Sequence, residues 1–168
     1  DKVIVFTYQL DINKTFNDGT PDDNDLPEFT LYKFDSATND YTTNVGKVGI
    51  NKTADGKYTA SFKRVDDGKY KLVETKTPAG FNTADPTLFD ITAEHDVESD
   101  NPQLTVLKIN TTAGNTTAGT VVADVVNQRG SNLPSTGGMG TVLLYVAGIA
   151  VFVLAGATLV MALRRRNA

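Results

Sequence analysis

The chain has 168 residues, 40% of them hydrophobic, with no cysteine and a formal net charge of −4. Of its 16 basic residues three are arginines crowded at the C-terminus, which leaves 13 against 20 acidic residues elsewhere and argues against nucleic acid as a partner. The lack of cysteine excludes a disulfide framework and thiol catalysis.

The chain begins at Asp1 without a methionine or export signal, and is expected to be the C-terminal piece of a longer exported protein. From Val3 to Lys14 residues alternate with period two: Ile4, Phe6, Tyr8, Leu10 and Ile12 share a face that ends in Lys14. Such alternation predicts a half-buried strand. The acidic stretch 17–25 does not match the spacing of a calcium loop and reads as a solvated turn. A second strand carries Phe29, Leu31 and Lys33 on one face. Asp55-Gly56 signals a turn into a third, with Tyr58, Ala60 and Phe62.

After a further turn at Asp67-Gly68, a strand places Tyr70, Leu72 and Glu74 on one face, so that an apolar face ends in a carboxylate. Pro78-Ala79-Gly80-Phe81 breaks it. Phe89 and Ile91 suggest another short strand, and residues 92–101 read as a charged loop with His95 as a solvated surface histidine. Leu104 to Ile109 is a strand, and Thr111 to Thr120 a flexible hairpin tip. The last strand aligns Val121, Ala123 and Val125 with Asn127. Seven or so short strands with no amphipathic helix signal predict an antiparallel sandwich over residues 1–130. Four Asn-x-Thr triplets, at Asn13, Asn51, Asn110 and Asn115, read as chance in a chain rich in threonine and asparagine.

The C-terminus has a different character. Leu133-Pro134-Ser135-Thr136-Gly137 lies in a linker, 131–140. An uncharged apolar run follows from Thr141 to Leu163, then Arg164-Arg165-Arg166 in a basic tail, 164–168. About 20 apolar residues suffice to cross a bilayer core, and arginines after a span mark the cytoplasmic side. One transmembrane helix over 141–163 is therefore expected. Pro134 fixes its own φ and biases Leu133 away from helix, so an extended pentapeptide is expected.

This order of pentapeptide, span and arginines resembles the cell-wall sorting signal of Gram-positive surface proteins. The resemblance implies that a sortase cleaves between Thr136 and Gly137. The Thr136 carbonyl then passes to an amine on a peptidoglycan precursor or on a lysine of a neighbouring pilin subunit. The membrane is then occupied only before sorting.

Three polar residues, Lys14, Glu74 and Asn127, end or interrupt apolar faces, where an unpaired charge is costly. Tyr70-Lys71-Leu72-Val73-Glu74-Thr75 followed by Pro78-Ala79-Gly80-Phe81 resembles the box of collagen-adhesin B-type (CnaB-like) domains of Gram-positive pilins. It implies an immunoglobulin-like sandwich in which Lys14 and Asn127 join as an isopeptide bond, with Glu74 relaying the proton. Thr15-Phe16 stands where the family often has Val-Asp, which leaves Lys2 and Lys33 as alternative lysines. The expected function is a structural one: the C-terminal domain of a pilus backbone subunit, covalently held at the cell surface. The runner-up is a wall-anchored adhesin with this domain as its stalk, its host ligand unknown. No metal or other cofactor is expected.

Overall fold

The computed structural model describes residues 4–98 and 100–130. The pentapeptide 133–137, the expected span 141–163 and the basic tail lie outside the described residues. Within them, no helix is long and apolar enough to cross a membrane.

Among the described residues ten strands follow in order: β1 (Tyr8–Asn17), β2 (Glu28–Asp35), β3 (Asp40–Gly49), β4 (Asn51–Lys52), β5 (Tyr58–Val65), β6 (Gly68–Lys76), β7 (Thr87–His95), β8 (Leu104–Ile109), β9 (Thr112–Ala113) and β10 (Thr120–Gln128). They form a four-stranded sheet ordered β10-β1-β5-β4 and a six-stranded sheet ordered β3-β2-β6-β7-β8-β9. The alternating faces meet between the sheets. Leu10, Ile12, Phe62, Val121 and Val125 come from one side, and Phe29, Leu31, Leu72, Phe89, Ile91 and Leu107 from the other. Each such side chain contributes about 1.5–3 kcal/mol on burial, so this interior is the main stabilising element.

The expected sandwich is present, with one correction: it is not wholly antiparallel. β1 and β10 pair in parallel, Leu10 opposite Val121 and Lys14 opposite Val125. Parallel neighbours need a long crossover, and here the rest of the domain supplies it. The other pairings are antiparallel.

Other differences have local causes. β1 starts at Tyr8 and runs three residues past Lys14, so the lysine is inside the strand and not at its end. β3 had no signal in the sequence because it is an edge strand, mostly exposed, that pairs only with β2; nothing forces its side chains to alternate. Asp67-Gly68 does bend the chain, but it carries it across the sandwich, because β5 and β6 lie in different sheets. Gly68 has φ +140°, and a Cβ there would stand 2.8 Å from Lys33 Cε. His95 is not in a loop. It ends β7, half-buried, with its Nε2 2.8 Å from the Tyr8 hydroxyl and its ring stacked on Phe6 at 3.8 Å.

Candidate functional site

The three polar residues singled out above are all buried: Lys14 is 2% exposed, Glu74 6% and Asn127 0%. Each sits where the alternation of its strand directs it, on β1, β6 and β10, pointing inward among apolar neighbours. β1 and β10 are adjacent, and β6 faces them from the opposite sheet.

Glu74 and Asn127 are in direct contact. The Asn127 amide nitrogen donates to Glu74 Oε1 at 2.9 Å and to Oε2 at 3.0 Å. The same nitrogen donates to the Asn82 main-chain carbonyl at 2.9 Å. Glu74 Oε2 also accepts the Ala84 main-chain N–H at 2.6 Å. Two acceptors facing one amide group fix which of its ends is nitrogen. The carbonyl oxygen, Asn127 Oδ1, is buried and accepts no hydrogen bond from the protein. An orphaned buried acceptor costs about 1–3 kcal/mol. A site that tolerates this cost invites a chemical explanation.

Lys14 lies one step along the shared face of the parallel pair, since Phe16 and not Lys14 is opposite Asn127. Its Nζ donates to the Thr15 carbonyl at 2.8 Å and the Val125 carbonyl at 3.4 Å. It also lies 4.4 Å from the centre of the Phe16 ring. Burial lowers its pKa from 10.5 to about 8, against a smaller opposing pull from the Glu74 charge. Removing an ammonium from water favours the neutral amine, which is the nucleophilic form. Phe16 packs edge-on against Tyr58 at 5.1 Å and Phe81 at 5.0 Å, walling this end of the sandwich with aromatic rings.

Of the alternative lysines, Lys33 pairs with Asp66 at 2.5 Å and its side chain is 28% exposed; Lys2 lies outside the described residues. The sequence reading missed Phe16, Asn82 and Ala84. Phe16 was within reach of it, two positions beyond Lys14 on the same face. Asn82 and Ala84 act through main-chain atoms, which no side-chain pattern reports. Glu74, implied by the resemblance to relay the proton, touches the nitrogen of the Asn127 amide and not its carbonyl oxygen. No group of three or more His, Cys, Asp or Glu among the described residues is arranged to hold a metal.

The described residues thus form a β-sandwich closed by a parallel pair of their first and last strands, with an amine, a carboxyl group and an amide buried at one end. Residues 24–106 match the family model described as SpaA: Prealbumin-like fold domain. The chain is 32% identical over 130 residues to fimbrial subunit type 1 of Actinomyces viscosus, an alignment covering 75% of this chain and 21% of that protein. The chain thus spans about a fifth of that relative's length. Among solved structures it is similar to the shaft pilin SpaA of Lactobacillus rhamnosus GG, with 15% identity, a TM-score of 0.47, and 75% of this chain and 51% of that one covered. It is also similar to the pilus 2b backbone protein of group B streptococcus, with 22% identity, a TM-score of 0.46, and 79% and 45% covered.

Proposed function

We propose that the chain is the C-terminal part of a sortase-assembled pilus shaft subunit. On this reading it is a structural surface protein and the substrate, not the agent, of assembly. The observation that carries the reading is the burial of Lys14, Glu74 and Asn127 at one end of a pilin-type domain. An amine, a carboxyl group and a primary amide in a water-poor site are the components of an intramolecular amide exchange.

The contacts support the following reaction. Neutral Lys14 Nζ attacks Asn127 Cγ. Glu74 takes the proton that the attacking nitrogen loses and gives it to Asn127 Nδ2, the nitrogen it already touches. The Cγ–Nδ2 bond breaks, one ammonia leaves, and Nζ–Cγ remains as an isopeptide bond. Placement on fixed strands supplies the proximity that amide attack requires. Joining the first strand to the last closes nearly the whole domain into one loop, contributing about 4–5 kcal/mol by the loop-entropy argument. It also routes tension past the strands between.

The sorting signal Leu133-Pro134-Ser135-Thr136-Gly137 would join Thr136 to the next subunit or to the wall, the span 141–163 holding the precursor at the membrane until cleavage. Intact mass tests the crosslink: the chain should weigh one ammonia less than its sequence, and tandem mass spectrometry should find Lys14 joined to Asn127. A folded, undegraded chain at full sequence mass would falsify the bond. Loss that persists in Lys14→Ala would assign it to another lysine.

A further inference from the structure

The three-residue stretch after the Pro78-Ala79 turn touches the reactive amide from outside the trio. Gly80, with φ +83°, lets the chain reverse there. Residues 80–82 then run alongside the end of β10. Asn82 N–H donates to the Gln128 carbonyl at 2.9 Å, and Gly130 N–H donates to the Gly80 carbonyl at 2.9 Å. Phe81 and Arg129 are bridged between these two bonds. The pairing zips the exit of the domain onto the turn. It also aims the Asn82 carbonyl at Asn127 Nδ2, and two residues on the Ala84 N–H holds Glu74.

We infer that residues 80–84 are a positioning element that clamps the leaving nitrogen and makes the site selective for an amide over an acid. This rests on the crosslinking reading above for its chemistry, though the clamp itself is a matter of hydrogen bonds. A primary amide has two N–H donors. One is taken by Asn82 and the other by Glu74. With both committed, the amide cannot rotate, Cγ presents a fixed face to Lys14, and the departing nitrogen rests against its proton source. A carboxylic acid has one hydrogen for the same two acceptors, and a carboxylate has none. Asn127→Asp therefore sets oxygen against oxygen at Asn82 or Glu74. Because the clamp forms only when the end of β10 has docked, bond formation is tied to completion of the fold.

The test uses the full 168-residue chain in detergent. In Lys14→Ala, which cannot crosslink, hydrogen exchange followed by NMR should find both Asn127 side-chain protons protected relative to those of the exposed Asn51. Gly130→Pro, placed on that background, removes the N–H that holds Gly80. It should speed their exchange about tenfold or more while the amides of β2 and β6 keep their protection; Gly130→Ala, which retains the N–H, should restore the slow rate. On the reactive background, chains made by cell-free translation and followed by intact mass should show Asn127→Asp losing one water about tenfold more slowly, or less, than the parent loses ammonia. Equal exchange in Gly130→Pro, unprotected Asn127 protons, or condensation of Asn127→Asp at the parent rate each overturns the clamp. Should Gly130→Pro not fold, the Asn127→Asp comparison decides alone. If the parent keeps its full mass while the protons are protected, the crosslink fails and the clamp stands.

Discussion

Lys14 and Asn127 lie on adjacent parallel strands and are offset by one step on the same inward face: Lys14 is opposite Val125, and Phe16 is opposite Asn127. The offset matters chemically. Directly opposed residues would bring two side chains past one another, whereas a diagonal lets the long lysine side chain reach along the face towards Cγ of a short one. Among β-pairs such diagonal neighbours are about 7–8 Å apart at the backbone, within reach of a long side chain. The pairing of the first and last described strands therefore sets the two side chains where the proposed join would need them.

If the join forms, its removal and the removal of its supports should be separable in stability. Lys14→Met keeps the buried volume and loses the crosslink together with the nitrogen that faces the Thr15 and Val125 carbonyls, so it should lower the unfolding free energy by at least about 4–5 kcal/mol. Glu74→Ala should also prevent the bond. In addition it strips the acceptor from the Asn127 amide and the Ala84 N–H, at about 1–3 kcal/mol for each buried group left unpaired. Denaturant midpoints should fall in the order parent, Lys14→Met, Glu74→Ala. Loss of ammonia that persists in Glu74→Ala would remove the glutamate from the mechanism and leave the crosslink standing.

The lowered Lys14 pKa gives a pH dependence of definite sign. With a folded value of about 8, the neutral amine grows as pH rises through 8 and then saturates. Ammonia loss in newly made chains should accelerate up to about pH 8 and level off above it. An uncrosslinked chain such as Asn127→Ala should show a matching stability effect. Between about 8 and the ordinary lysine value of 10.5, the unfolded chain holds a proton that the folded one has lost, so stability rises with pH across that window. A crosslinked parent would have no Lys14 amine to titrate and should lack this rise. Denaturant titrations at several pH values compare the two.

The face of β6 was legible because Tyr70, Leu72 and Glu74 keep strict period two against Lys71 and Val73, and a carboxylate at the end of an apolar face is conspicuous. The face of β10 was legible likewise through Val121, Ala123, Val125 and Asn127. The direction of pairing was not. Alternation states which residues face inward but not which strand is the neighbour, and the parallel β1–β10 pair is a contact between the two ends of the domain. β3 escaped notice because an exposed edge strand has no buried face to impose a pattern. His95 looked solvated because its partners, Phe6 and Tyr8, lie 87 or more residues away in sequence. The Asn82 carbonyl that accepts from Asn127 and the Ala84 N–H that holds Glu74 are main-chain atoms, placed by the reversal at Gly80, and no residue type encodes them.

Sorting is tested by a single substitution. The pentapeptide ahead of an apolar span and three arginines motivates Thr136→Ala, which alters the residue whose carbonyl would be transferred. The parent should be released from cells together with wall fragments or polymer after muralytic digestion, and the variant should stay in the membrane fraction. Equal release of the two would rule out sorting at Thr136.

Assembly into a shaft makes a stronger demand than anchoring. A chain joined only to the wall reacts once, at Thr136, and yields one wall-linked species. A shaft subunit must also offer a lysine to the Thr136 of another copy, so its surface extracts should give a ladder of covalent multimers on denaturing gels. The ladder should collapse to monomer when the cognate pilin sortase is deleted, and in Thr136→Ala. It should survive in Lys14→Ala, because on this reading the crosslink within a domain and the bond between subunits would use different lysines. In that variant, however, each rung should become easier to unfold and cleave with protease, as its first and last strands are no longer tied. A single wall-linked species in the parent would instead favour an anchored adhesin in which this domain is the stalk.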